Sequence, residues 1–321
     1  MRFLVVVTAL IAVSFAHAQN EVVSAGYELP IYQTVASGQV TTLFVRGLKI
    51  PDAAATGFPL PTTLSGVLVK VTTSIPNYPG RLPILSVRSY DFCAGRLSVL
   101  CPLTLVTVQI PTEPTCVPTG QLPNECTQGT AVIVLNVEQN GVAGQDFPVI
   151  VASQNPHIIT ACDPMFGGPG GPCTPYVTHA DGSLVGVDCN NPVKPGETVV
   201  LYMVGVGPTN PSVKTGEAAP SSPTAKAVLG LPLILSFVVN LPPASPPPPE
   251  VRSPVGGWVN PDYVGLVPGY AGLYQANVKV PSPSSSNLNS AGYTSMRIAI
   301  GAGSFGPADG TTYADVCVQV Q

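Results

Sequence analysis

The stretch VKPGETVVLYMVGVG, Val193–Gly207, decides how this chain is read, because it has a counterpart far upstream in VASGQVTTLFVRGLK, Val35–Lys49. Laid side by side without gaps, Gly38 meets Gly196, Leu43 meets Leu201, Phe44 meets Tyr202 and Gly47 meets Gly205. In both, a glycine turn launches a run of β-branched and aromatic residues that a second glycine ends, which is the punctuation of a strand and not of a helix. Two copies of one strand imply two versions of one β unit.

Working outward from the first copy, strands are expected at Tyr27–Val35, Val40–Val45, Thr63–Thr72, Ile84–Tyr90, Leu103–Ile110, Ala131–Glu138 and Phe147–Ala152. The last two are joined through Gln139-Asn140-Gly141, and Asn-Gly between two β-rich runs is a strong hairpin signal. Around the second copy the order repeats: Thr198–Val204 answers Val40–Arg46, Leu233–Val239 answers Val67–Thr72, and Tyr274–Val280 before Pro281 answers Thr104–Ile110 before Pro111. Met296–Ile300 and Asp315–Val320 answer the last hairpin. About seven short strands per unit, with frequent turns and no 3.6-residue period, make the sandwich pattern. The expectation is an all-β chain of two tandem Ig-like antiparallel β-sandwich units, over residues 19–155 and 156–321. The second unit carries a Pro-rich insertion, residues 242–254, in which Pro246–Pro249 must run as polyproline II and reads as a stiff exposed loop. The glycine-rich GGPGGP at Gly167–Pro172 lacks the Lys, the Ser or Thr and the following helix of a phosphate-binding loop, so it also reads as surface.

The 321 residues suffice for two such units, and with 45% hydrophobic and 9% charged residues there is ample apolar surface to bury. A net charge of -4 and 13 scattered Lys and Arg residues supply no basic stripe, which excludes nucleic acid as a partner. Residues 1–18 stand apart: Arg2, an apolar run from Phe3 to Phe15, then Ala16-His17-Ala18, the small-x-small pattern of a cleaved secretory signal peptide. The run is too short to span a bilayer. The mature chain is therefore expected to be secreted, extracellular or at the cell surface, with no transmembrane span.

Eight cysteines, Cys93, Cys101, Cys116, Cys126, Cys162, Cys173, Cys189 and Cys317, are an even number in an exported chain and point to disulfides. Close spacing favours Cys93–Cys101, Cys116–Cys126 and Cys162–Cys173, leaving Cys189–Cys317 by elimination. A zinc alternative at Cys162, Cys173, His179 and Cys189 lacks the tight cysteine pairs of structural sites.

The residues then resemble a known family. DGSLV at Asp181–Val185, NPVKPGETVVLYMVGVGPTNP at Asn191–Pro211, APSSP at Ala219–Pro223 and GLVPGYAGLYQANVKVP at Gly265–Pro281 occur together, in order, in the uncharacterised C-terminal domain of secreted proteins from Solibacter-type acidobacteria. The first unit, with VASGQVTTLFVRGL and LPTTLSGVLVKV, resembles the amino-terminal portion seen in the same family, which is similar to IPT/TIG Ig-like modules. The resemblance implies a secreted pair of β-sandwiches of unassigned function.

No catalytic set presents itself. Gly303-Ser304 in GAGSFG has Ala302 where a nucleophile elbow needs glycine, the mature chain has only His157 and His179, and no two carboxylates pair by spacing. An enzyme is not expected, nor a cofactor. Asp181, Asp188, Asn190 and Asn191 could offer oxygen ligands to calcium, but turn formation explains them equally. Trp258, Tyr263, Tyr270 and Tyr274 cluster in the second unit and could stack on sugar rings. Two functions follow: a non-catalytic structural or adhesive interaction module of the cell exterior whose partner is an extracellular protein or glycan, or, alternatively, a carbohydrate-binding module.

Overall fold

In a computed structural model, residues 20–27, 34–75, 77–90, 102–113, 131–152, 154–166, 173–186, 189–228, 233–238, 260–282, 293–300 and 313–319 are described. The signal segment, the Pro-rich insertion, Trp258, Asp188, Gly303-Ser304 and Cys93, Cys101, Cys116 and Cys126 lie outside them.

The glycines that open the two quoted stretches do the same work. Gly38 has φ +76° and Gly196 φ +84°, left-handed values that favour glycine, and each turn delivers the chain into a seven-residue strand. The strand at Val40–Arg46 (β3) lies antiparallel to Leu103–Gln109 (β8), Val40 opposite Gln109; the strand at Thr198–Val204 (β13) lies antiparallel to Tyr274–Lys279 (β18), Thr198 opposite Lys279. Even the closing bonds match: Ile110 N–H donates to the Gln39 carbonyl and Val280 N–H to the Glu197 carbonyl, both at 2.8 Å.

The first sandwich consists of two five-stranded sheets. Its front sheet has the order β1 (Glu21–Gly26), β3, β8, β7 (Ile84–Tyr90), β4 (Ala53–Ala54); its back sheet runs β2 (Val35–Ala36), β10 (Asp146–Ala152), β9 (Ala131–Gln139), β6 (Val67–Thr72), β5 (Thr63–Leu64). All neighbours are antiparallel except β2, which runs parallel to β10. Inward residues of the two sheets, among them Leu43, Val45, Val106 and Val108 against Val69, Ile133, Leu135 and Val149, close one apolar core. The alternation expected of a sheet with one wet face is clean in β10, where every second residue is buried. Two hairpins have positive φ at both turn residues, Ser65-Gly66 and Asn140-Gly141, and in the second Gln139 and Val142 exchange both backbone bonds.

The second sandwich repeats this pairing. A seven-stranded sheet has the order β11 (His157–Ile158), β13, β18, β17 (Tyr263–Leu266), β15 (Lys226–Ala227), β14 (Thr209–Asn210), with β12 (Val177–Thr178) also on β13. It faces a three-stranded sheet, β16 (Leu233–Val238), β19 (Tyr293–Ile300), β20 (Tyr313–Gln319). Leu201, Met203, Ala276 and Val278 meet Met296, Val316 and Val318 in its core. Both units thus pair their strands alike, β6–β9–β10 corresponding to β16–β19–β20. The chain is all-β, two antiparallel β-sandwiches; its one described helical turn is a 3-10 turn at Pro164–Phe166. No described helix is long and apolar enough to cross a membrane.

Local departures from the sequence reading have simple causes. Most of the strand expected at Tyr27–Val35 lies outside the described residues; the described strand β1 ends just before it at Gly26, and the Tyr27 ring stacks on His157, with ring centres 3.7 Å apart and planes 4° from parallel. Thr63–Thr72 is a hairpin, because Ser65-Gly66 supplies two left-handed residues.

Candidate functional site

β3 is buried on both faces from Val40 to Val45, and β8 along its whole length, so the front sheet of the first sandwich is covered outside as well as inside. Part of the outer cover is the second sandwich. Val40 and Tyr27 form one apolar cluster with Ile159 and Val204, joined by Leu85, Met165, Tyr202 and Leu273. Leu85 reaches it through a β-bulge: the register of β7 on β8 shifts between Ile84 and Ser86, and the extra residue is re-aimed into the junction.

Hydrogen bonds fasten the same junction. Leu60 N–H donates to the Gly216 carbonyl (2.8 Å), Gly216 N–H to Gln109 Oε1 (2.7 Å), Thr112 N–H to Thr215 Oγ1 (2.8 Å) and Asn155 N–H to the Gly205 carbonyl (2.8 Å). Tyr27 donates from its hydroxyl to the Val40 carbonyl (2.7 Å) and accepts from Gln39 Nε2 (2.7 Å); burial pushes its phenol well above the usual tyrosine range. His157, stacked on that ring, holds Asp163 Oδ2 at 2.9 Å, and the buried Asp163 also accepts from Thr160 N–H at 2.8 Å.

Between the sandwiches a cleft of about 250 Å³ remains open. Its floor is the outer face of the front sheet, Val40, Thr107, Ser86 and Arg88; the second sandwich supplies Ile159, Met165, Val204 and the turn from Tyr270 to Leu273. Two aromatic side chains stand on its rim, Phe58 at 45% exposure and Tyr270 at 55%. The loop bearing Phe58 is pinned where Ala55 N–H meets the Leu85 carbonyl and where Leu60 meets Gly216, so the ring is presented from an anchored loop. The turn bearing Tyr270 is closed by Tyr270 N–H to the Val267 carbonyl and by Ala219 N–H to the Tyr270 carbonyl. The Arg88 side chain is half-buried and makes no hydrogen bond or ion pair among the described residues; nearby Asp52 accepts from Ser89 N–H (2.7 Å) and Ser89 Oγ (2.9 Å), bonds that, with the charge of Arg88, hold its carboxyl below the usual range. The arrangement can take an apolar group and offer one guanidinium beside it.

The residues singled out by sequence are dispersed. Tyr270 stands on the cleft rim, Tyr263 is half-buried with its hydroxyl over the Leu266 carbonyl, and Tyr274 is core, 2% exposed and bonded to the Gly207 carbonyl, so the three do not form one stacking platform. Cys162 is bonded to Cys173 and Cys189 to Cys317, which leaves none of these thiols for a metal. Asp181 closes its own turn onto Ser183, Asn191 donates to the Leu184 carbonyl, and no group of three or more His, Cys, Asp or Glu side chains is placed to hold a metal ion among the described residues. His179 is paired with Glu197, and Glu197 accepts from Lys194 N–H. Sequence reading missed Phe58, Arg88 and Met165; strand parity would set Ser86 and Arg88 on the face of Ile84, and it is the bulge at Leu85, with no signal in the sequence, that turns them to the opposite face.

No protein-family model matches the chain, and no curated protein matches it. Among solved structures it is similar to one titled BspA_C_WT, with 10% identity, 92% of this chain and 100% of that chain covered, and a TM-score of 0.18. The Streptococcus agalactiae AgI/II polypeptide BspA C-terminal domain gives 11% identity, 92% and 99% coverage, and a TM-score of 0.17. Likenesses of this strength assign neither a fold nor a role.

Proposed function

We propose that the chain is a non-catalytic adhesive or interaction module of the cell exterior, made of two tandem sandwiches fixed to each other and meeting its partner at the cleft between them. The observation that carries this reading is the junction: a shared apolar cluster and four cross-unit hydrogen bonds, two between backbones and two from backbone to side chain, hold the sandwiches together, yet leave two anchored aromatic rings facing solvent above a cleft lined mostly by apolar side chains. Isolated exposed apolar residues are ordinary, but two on fixed loops around one cleft are the pattern of a recognition surface. Disulfides support an oxidising compartment. The signal-like residues 1–18 and the ordered motifs of the Solibacter-type family belong to the same reading.

The test has two parts. Expressed with residues 1–18, the tagged chain is expected outside the cell, shortened near Gln19; retention inside with full length overturns the export half. Beads coated with residues 19–321 are expected to adhere to some of a panel of purified extracellular proteins and glycans, and beads carrying Phe58→Ser with Tyr270→Ser to adhere at least tenfold less. Adhesion to nothing in the panel, or equal adhesion by both, overturns the interaction half.

A further inference from the structure

The cleft has a chemistry that narrows its occupant. At about 250 Å³ it is smaller than the roughly 300–1,000 Å³ of sites that enclose drug-sized ligands. It suits a single large side chain and its neighbours better than a folded ligand. The lining from Val40, Ile159, Met165, Val204 and Leu273 is apolar, and Met165 is the adaptable member, since a thioether side chain conforms to different apolar shapes. A pyranose offers hydroxyls all round and needs many polar partners, whereas the polar side chains on this floor are Ser86, Thr107 and Arg88, and Thr107 is already bonded to Thr42.

Arg88 supplies the second condition. It lies on the outer face of β7 directly across from Leu105, half-buried, and no carboxylate among the described residues lies in ion-pair contact with it; Asp52 bonds to Ser89 and feels Arg88 only through its charge. A guanidinium has five donors and is complementary to a carboxylate, which it can grip with two parallel bonds. An apolar slot with such a group at one side fits an apolar side chain that has a carboxylate next to it.

We propose that the junction cleft docks an acidic peptide segment of a partner protein, with one aromatic or large aliphatic side chain seated between Phe58 and Tyr270 and a neighbouring Asp or Glu carboxylate on Arg88. This rests on the reading above that the cleft is where the chain meets its partner, and it adds what the partner must present. Phe58 and Tyr270 flank the anchor, Met165 and Leu273 adapt beneath it, and Arg88 sets the charge preference.

The experiment uses the disulfide-intact chain, residues 19–321, as bait for a displayed library of random dodecapeptides, followed by calorimetry of the enriched peptides. Enriched sequences are expected to carry Phe, Trp, Leu or Met within two positions of Asp or Glu. Replacing that acid by its amide should weaken binding about tenfold, Arg88→Gln should weaken the acidic peptide to the same degree while leaving the amide peptide unchanged, and Arg88→Lys should recover part of the difference. Unaltered binding of the amide peptide by Arg88→Gln is also the check that the variant is folded. Enrichment without acidic residues, or acid and amide peptides binding alike, overturns the role of Arg88. Decanoate or cellotetraose binding the cleft, with no peptide enriched, overturns the peptide and leaves the interaction module standing with a lipid or glycan partner. No ligand in the cleft while coated beads still adhere overturns the inference alone; loss of bead adhesion as well overturns both.

Discussion

The two sandwiches solve the same problem at one point in different ways. In the first, the short strand β2 lies parallel beside β10 and two residue pairs, Val35 with Val151 and Ala36 with Ala152, close the edge. In the second, the equivalent segment makes a single bridge, Val193 to Val318, and the chain just before it is tied to β20 by the disulfide between Cys189 and Cys317. Val193 N–H donates to the Cys317 carbonyl and Gln319 N–H to the Val193 carbonyl, so the covalent bond and the bridge fasten one edge. The first unit closes by strand pairing, the second by a bond that fixes a thinner pairing. Three described strands offer less to pack than five, and a long covalent loop compensates by restricting the unfolded chain.

That contrast predicts where the second unit breaks. Cys189–Cys317 spans 128 residues and Cys162–Cys173 only 11. In the loop-closure account the first restrains the unfolded chain by about 5 kcal/mol and the second by about 3 kcal/mol. Cys317→Ser should therefore lower the melting temperature well beyond Cys173→Ser under oxidising conditions, and the gap should vanish in reductant. Equal shifts would place the stability of that edge in the Val193 bridge instead.

The shared pairing is sharpened by a matched pair of core truncations. Leu43 on β3 and Leu201 on β13 are both fully buried and occupy corresponding positions, so Leu43→Ala and Leu201→Ala should each cost about 2–5 kcal/mol. Because the junction joins the units, calorimetry is expected to show one transition that both variants move; two separable transitions, each moved by one variant, would show the junction to be weak.

A smaller effect distinguishes the units by pH. Burial raises the phenols of Tyr27 at the junction and Tyr274 in the second unit above their usual value near 10. The folded chain then holds protons that the unfolded chain releases, so this contribution is complete below about pH 10 and is lost as pH rises beyond it. Tyr274→Phe should flatten the alkaline fall of the melting temperature. It should also cost about 1–3 kcal/mol near neutrality, because the Gly207 carbonyl loses its donor. The smallest effect belongs to Arg46 and Glu21, an ion pair on the exposed edge of β1 and β3, where Arg46→Ala should change stability by less than about 1 kcal/mol.

Much of this architecture could be read before any coordinates, and the reason is periodicity. VTTLFVR and LTLVTVQ lack a polar alternation because both faces of β3 and β8 are covered, and their ends are marked by Gly38 and Gly47 around the first and by Pro102 and Pro111 around the second. Asn140-Gly141 announced its hairpin through two left-handed residues. The cleft was not legible, since its parts come from residues more than two hundred positions apart and meet only when one sandwich packs on the other. Nor could composition separate Tyr270 from Tyr274: four residues apart, one is on a turn and the other on β18, and only the position of the turn decides which is wet. The bulge at Leu85 is silent for the same reason, because an extra residue shows only against its partner strand.

The disulfide at Cys317 also governs how the chain carries load. A pull applied beyond residue 319 enters β20, crosses at Cys317 to Cys189, and leaves toward the first sandwich without passing along the intervening backbone. At about 3.4 Å per extended residue, the 128-residue loop would otherwise release about 430 Å of slack. Oxidised, the part of the second sandwich from β13 to β19 is bypassed by tension and the tether stays short; reduced, it becomes an extensible segment.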